Sequence, residues 1–309
     1  MKAVTLGNHR EGVWQYVKRH PLLYLMLLPG CIYFIVFHYI PMYGVVIAFQ
    51  DFKVTRGLFG SEWVGLENFR LAFSSSEFYR ILKNSLCISL LRIIFGFPAP
   101  IILALLLNEL RSVAYKRVMQ TVMYLPHFVS WVIAAGLVMN LLASDGVVNM
   151  IIKKAGGQTI MFMQTKELFW PLIVITDIWK SAGWGAIVYL AALTGIDPQL
   201  YEAARIDGAN RLQCVFRISL PCITNTIVIL LILRMGGILC NGFEQIWLLS
   251  NATIRTVSDV FETYNYRVGL IGGRMGYTAA IGMFQSIVGL VLIFSTNLFA
   301  RSLGERGLF

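Results

Sequence analysis

The stretch Tyr201-Glu-Ala-Ala-Arg-Ile-Asp-Gly-Ala-Asn-Arg-Leu-Gln-Cys-Val-Phe-Arg-Ile-Ser-Leu-Pro221 is polar and charged, yet it lies between two long apolar runs. It reads as two short helices joined by a tight turn. Asp197 can cap the first helix through its carboxylate, and Pro198 then falls at the first helical position, where a missing N–H is harmless. Tyr201 to Ile206 are mostly good helix formers. Gly208 is placed to end that helix in a left-handed conformation, which residues with a Cβ resist. Asn210 can cap the second helix. Leu212, Val215 and Phe216 then share one face at i, i+3, i+4 spacing. Pro221 opens the next apolar run. A compact helical hairpin with an apolar face, held close to a membrane, is a docking surface for a soluble partner.

The flanking runs make this a membrane protein. Of 309 residues, 57% are hydrophobic and only 14% charged, and mean hydropathy is +0.68; soluble domains carry about a quarter charged residues. Six apolar segments are drawn at about Leu22–Tyr43, Ser85–Leu107, Thr121–Leu142, Trp170–Thr194, Ile223–Leu248 and Thr278–Phe299. Each approaches the length that crosses a bilayer as a helix, the form that satisfies its own backbone in lipid. The net charge of +10 reads as cytoplasmic-side anchoring. No basic, aromatic-interleaved patch suggests nucleic acid. Lys and Arg are slightly denser on the side that places both termini inside. The N-terminal run lacks a small-residue cleavage signature and is read as a retained first span. The first outer loop, about Gly44 to Asn84, is expected to hold short helices along the outer face. Five scattered cysteines, Cys31, Cys87, Cys214, Cys222 and Cys240, suggest neither a disulfide framework nor a metal site.

The central stretch also resembles the Glu-Ala-Ala loop of permease subunits in ATP-binding-cassette importers. That pattern runs Glu-Ala-Ala, three residues, Gly, then about nine residues to Ile-x-Leu-Pro. Here the positions are Glu202, Ala203, Ala204, Gly208, Ile218, Leu220 and Pro221. His38-Tyr-Ile-Pro-Met-Tyr-Gly44, Trp63-Val-Gly-Leu-Glu-Asn-Phe69, Tyr124-Leu-Pro126 and Tyr264-Asn-Tyr-Arg-Val-Gly269 are similar to the sugar-importer branch, especially the group associated with oligosaccharides and polysaccharide fragments. The resemblance implies an inner-membrane, binding-protein-dependent permease of a prokaryote. Its expected partners are a second homologous permease subunit, two copies of a cytosolic ATPase and an extracytoplasmic solute-binding protein. It also implies that Glu202, Ala203, Ala204, Asp207, Gly208, Leu212, Phe216 and Pro221 couple the chain to that ATPase.

No nucleotide-binding loop, zinc-protease motif or nucleophile elbow is present. The chain is therefore expected to have no catalytic residues, metal or cofactor of its own, with ATP and Mg held on the partner ATPase. Ionisable residues within spans are the functional candidates. Asp177, Lys180 and Trp184 fall at i, i+3, i+7 on the fourth span. They read either as a structural pair that partly neutralises itself or as a polar, aromatic wall for carbohydrate. Arg234 lies about 13 residues, hence roughly 20 Å, past Pro221. On a continuous helix it forms a stripe with Ile238, Asn241 and Gln245, beside Glu244. It reads as lining a cavity or as pairing with another subunit, and Arg92 on the second span reads likewise. Gly183, Gly185, Gly236 and Gly237 read as sites of close helix approach.

The expectation is an all-α integral membrane protein of six helices, the second to sixth forming an importer core. Residues 1–20 form a cytosolic tail, 21–300 the permease domain with the coupling loop at 197–221, and 301–309 a second cytosolic tail. The function expected is one half of the pathway of an ATP-driven carbohydrate importer. The alternative is an ion-coupled secondary carrier for a polar solute, which would need no docking loop and would use an embedded acidic relay.

Overall fold

A computed structural model describes residues 18–302 together with 304, 307 and 308. The described chain is almost wholly helical. Its only sheet is a two-residue antiparallel pair in the loop between the first two spans, with Gln50 opposite Trp63 and Asp51 opposite Glu62. The tails expected at 1–20 and 301–309 lie largely outside the described residues.

Three helical stretches are long and apolar enough to cross a membrane, Pro21–Phe49, Ser76–Asn108 and Met275–Ser302. Two bent pairs raise this to five if each counts as one span: Val113–Phe128 with Trp131–Leu141, bent by 100°, and Arg211–Cys222 with Thr224–Gly236, bent by 59°. The helix Lys166–Thr194 is 29 residues long and carries Asp177 and Lys180 near its middle. The expected third and fifth spans are thus not straight rods. The third turns at Ser130, whose side chain caps a new helix at the Ile133 N–H. The fifth bends at Ile223, stops at Gly236, and resumes only as the short helix Phe243–Leu249.

Proline shapes three of these spans in the same way. Pro41, Pro98 and Pro221 each follow a widened π turn, at Ile35–Tyr39, Arg92–Gly96 and Val215–Ser219. A proline ring cannot donate to the carbonyl four residues back and collides with it. Widening the preceding turn relieves that conflict without ending the helix.

The first span stands apart. Every residue from Pro21 to Tyr43 is exposed, and only Tyr43–Phe49 packs on the last helix. The remaining helices enclose three apolar clusters. One, around Phe169, Ile173, Ile246 and Leu249, joins the fourth helix to the short helix after the break. Another, around Phe78, Ile81, Phe261 and Ile281, joins the start of the second span to the last. The third, around Ala104, Ala186, Tyr189 and Leu193, runs along the second and fourth helices toward the coupling loop. In the loop between the first two spans, Asn68 Nδ2 donates to the carbonyls of Ala48 and Gln50, both at 3.0 Å, which ties the helix Glu67–Ser74 to the strand pair. The short helices expected in this loop are present at Gly57–Gly60 and Glu67–Ser74, and the strand pair adds to them.

The glycines act as expected where helices cross. A Cβ on Gly183 would collide with the Met123 backbone, and one on Gly289 with the Gly236 carbonyl. Gly183→Val should therefore destabilise the protein by about 1–3 kcal/mol through overpacking. It should lower the midpoint of thermal unfolding in detergent. Gly282→Ala, where a Cβ meets nothing within 4 Å, should not. An unchanged midpoint for Gly183→Val would show that the two helices are not held at this distance.

Candidate transport path and coupling loop

The centre of the membrane region is built on the break in the fifth span. Gly236 ends the helix, and only single turn bonds, from the N–H groups of Gly237, Ile238 and Cys240, follow before Gly242, which has φ +78°. The backbone groups that these turns leave over are met by side chains of neighbouring helices. Arg92 is buried at 5% exposure. Its Nη1 donates to the Asn241 carbonyl at 2.7 Å, and its Nη2 donates to Gln245 Oε1. Its Nε lies 3.5 Å from Asp177 Oδ2. The Asn241 N–H donates to Glu262 Oε1 at 2.6 Å, and Asn241 Oδ1 accepts from Ser89 Oγ at 3.0 Å. Gln245 Nε2 donates to the Ile173 carbonyl at 2.7 Å and to Thr176 Oγ1 at 2.8 Å.

This arrangement differs from two expectations. Arg234, Ile238, Asn241 and Gln245 do not form a stripe, because the helix that would align them ends at Gly236. Asn241 and Gln245 are fully buried, at 0% and 2% exposure, with their polar atoms turned to protein groups. Asp177 and Lys180 do not pair either. Asp177 turns to Arg92, whereas Lys180 Nζ donates to the His127 carbonyl at 2.8 Å and lies 5.4 Å from the Trp131 ring centre. Trp184 stacks flat on His127, ring centres 4.6 Å apart. The fourth helix thus uses one face to meet two neighbours: Asp177 the second span, Lys180 and Trp184 the bent third. Glu244 is exposed on the short helix Phe243–Leu249.

Arg234 lines a cavity of about 320 Å³ together with Arg92, Asp177, Ser181, Tyr189 and Phe97. The spacing argument left Arg234 either lining a cavity or pairing with another subunit, and it missed the network beside it. Ser85, Ser89 and Glu262 carried no sequence signal, because their partners are up to 176 residues away.

The loop from Asp197 to Pro221 has the geometry its sequence requires. Asp197 caps Pro198–Ile206 by accepting from the Gln199 N–H at 2.9 Å. Gly208 has φ +81°. The Ala209 N–H then returns to the Ala204 carbonyl at 2.8 Å, closing the helix. Asn210 and Gln213 form a reciprocal cap, at 2.9 and 2.7 Å. Tyr201 and Ser219 hydroxyls meet at 2.9 Å and join the two limbs. Leu212 and Phe216 are 68% and 64% exposed, and Ile206 is 86% exposed, so the apolar face points away from the chain. Between this loop and the end of the second span lies a cleft of about 880 Å³, lined by Glu202, Arg205, Arg211, Glu109 and Tyr201.

A family profile described as the binding-protein-dependent transport system inner membrane component matches residues 96–305. The chain belongs to this family. It is a membrane transport component, not a catalytic enzyme. It is 49% identical over 288 residues, covering 93% of this chain and 90% of the relative, to the polygalacturonan/rhamnogalacturonan transport system permease protein YteP of Bacillus subtilis. It is 31% identical to the arabinooligosaccharides transport system permease protein AraP of the same organism, covering 87% and 85% of the two chains. Among solved structures, a bacterial alginate importer in complex with its alginate pentasaccharide-bound periplasmic protein contains a chain with TM-score 0.88 and 43% identity. The match covers 96% of this chain and 100% of that one.

Arg92→Met leaves Asp177 without its counter-charge and the break without two donors, at a penalty of about 3–5 kcal/mol for a broken buried pair. Adding Asp177→Leu should recover part of that loss. The double variant should therefore unfold at a higher denaturant concentration than Arg92→Met alone. Simple additivity of the two single changes would contradict the pairing.

Proposed function

We propose that this family member is the permease subunit of an ATP-driven carbohydrate importer, with oligosaccharides as its substrate class, and forms half of the translocation pathway. The coupling loop carries the reading. Its conformation is fixed by caps and by Gly208, and it offers Ile206, Leu212 and Phe216 to a soluble partner beside a charged cleft. That partner is a separate cytosolic ATPase, present in two copies and holding the ATP and Mg. A second homologous permease supplies the other half of the path, and an extracytoplasmic binding protein delivers the sugar. YteP, AraP and the alginate importer, as named, all handle carbohydrate, which supports the substrate class. An ion-coupled carrier working alone has no use for such a loop.

In the mechanism, ATP binding draws the two ATPase copies together and carries the loop with them. The loop leads through the bend at Ile223 into Thr224–Gly236, so its movement reaches the Arg92–Asn241 break and the cavity beside it. The path then opens outward to the binding protein, and hydrolysis resets it. In this orientation the loop and both termini are cytosolic.

Gly208→Val forces a β-branched residue into a left-handed conformation, a strain of about 1–3 kcal/mol. ATPase activity and uptake in the complete complex should become uncoupled while insertion is retained; coupled transport would count against the role given to Gly208. Glu202→Ala should reduce co-purification of the ATPase, and unchanged recovery would remove Glu202 from the interface. In a cysteine-free background, a cysteine at Ser74 should react with an impermeant reagent added to intact cells, whereas one at Ala203 should be protected. The reverse pattern would invert the orientation.

A further inference from the structure

The cavity beside the break has an unbalanced charge. Its lining holds two arginines and one carboxylate: Arg92, Arg234 and Asp177. Arg92 has its charge matched by Asp177 and two of its nitrogens held by the acceptors at Asn241 and Gln245. Among the described residues, the Arg234 guanidinium has neither an ion pair nor a hydrogen bond, and the residue is exposed to the cavity side of its helix. The other nearby carboxylates do not serve it. Glu262 accepts from the Asn241 N–H through Oε1, has no hydrogen-bond partner at Oε2, forms no ion pair with Arg234 and lines a different cavity; Glu244 sits on the short helix beyond the break and is not part of this lining.

Arg234 is the eleventh residue of Thr224–Gly236, about 15 Å along that helix, in the bent pair that has the length and composition of a membrane crossing. A guanidinium there is retained only with water, a partner or a ligand to hold it. Its planar fork matches a carboxylate with two parallel hydrogen bonds, and it gives up its hydration more readily than an ammonium. The remaining lining suits a sugar: Ser181 and Tyr189 offer hydroxyls, and Phe97 offers an apolar face. A volume of about 320 Å³ matches one or two sugar rings, not a long segment.

We propose that Arg234 makes this a binding site for the carboxylate of an acidic sugar unit, and that it selects uronate-containing oligosaccharides over neutral ones. The inference rests on the carbohydrate-import reading and goes beyond it, because that reading is equally satisfied by neutral substrates. Arg92 and Asp177 position the site without contributing net charge. A uronate entering it balances the one free cation of the lining, and a neutral sugar leaves that cation unpaired.

The test uses the complete complex, with its partner permease, ATPase and binding protein, in proteoliposomes. The probes are trigalacturonate and trimannuronate, their methyl esters, and the neutral trisaccharides arabinotriose and maltotriose. The methyl esters keep the sugar skeleton and remove the charge. The quantity read is the ratio of acid to ester uptake, in which any preference of the shared binding protein cancels between variants. Losing a charge-assisted hydrogen-bond pair corresponds to roughly a ten- to hundredfold change, so Arg234→Gln should lower that ratio by about that factor. Arg234→Lys keeps the charge and loses the fork, and should fall between. If Arg234→Gln fails to assemble, or both probes fall together, Arg234 is held by a carboxylate of the partner subunit and the proposal is overturned. An unchanged ratio overturns it as well. Import of neutral sugars alone by the unaltered complex overturns it and leaves the carbohydrate reading standing. Import of none of the six probes counts against the carbohydrate reading itself and removes this inference with it.

Discussion

A helix that stops inside a bilayer leaves backbone groups that lipid cannot satisfy, and in this chain Arg92, Ser89, Gln285 and Glu262 share that demand, with Arg92 carrying the positive charge at its centre. Arg92 donates to the Asn241 carbonyl and to Gln245, and its charge is matched by Asp177. Three spans are joined at one point by these contacts. The second carries Arg92, the fourth carries Asp177 and the Ile173 and Thr176 acceptors, and the broken fifth carries Asn241 and Gln245. The break could not persist without the network, because an unpaired polar group in hydrocarbon is worth several kcal/mol. The network in turn would have no role on an unbroken helix.

Flexibility in the spans comes from a related source. Each of Pro41, Pro98 and Pro221 follows a π turn, so the second and fifth spans carry a built-in defect next to the cavity or the coupling loop. Arg92 is the first residue of one such turn. The coupling loop feeds directly into the π turn before Pro221 and then into the bend at Ile223. A displacement of the loop therefore reaches the cavity through a helix of only 13 residues. The apolar clusters on either side are continuous and well packed, which leaves the defects as the places where the spans can rearrange.

Local chemistry was legible in the sequence and long-range pairing was not. The caps at Asp197 and Asn210, the left-handed Gly208 and the outward face of Leu212 and Phe216 depend on neighbours within a few residues, and each follows from residue type alone. Apolar runs were readable too, and of the six expected spans three, or five with each bent pair counted as one, have the length and composition of a membrane crossing. What failed was the assumption that a long apolar run is one straight helix. Arg234 to Gln245 has helical spacing on paper, but Gly236, Gly237 and Gly242 allow the chain to leave the helix once Arg92 and Glu262 satisfy its backbone. Those partners are remote in sequence, so nothing near Asn241 announced them. Asp177 and Lys180 illustrate the same limit. Their spacing puts them on one face, but the choice between each other and Arg92 or His127 is made by the helices packed on either side.

The central claim is that Arg92 holds the broken fifth span together. Backbone hydrogen exchange of the segment from Gly237 to Leu249, followed by mass spectrometry on the assembled complex in nanodiscs, tests it directly. In the unaltered protein this segment should be protected to nearly the same degree as Lys166–Thr194. In Arg92→Met, exchange should accelerate in this segment and around Asp177, while the coupling loop and Met275–Ser302 keep their original rates. Unchanged protection from Gly237 to Leu249 in that variant would contradict the account.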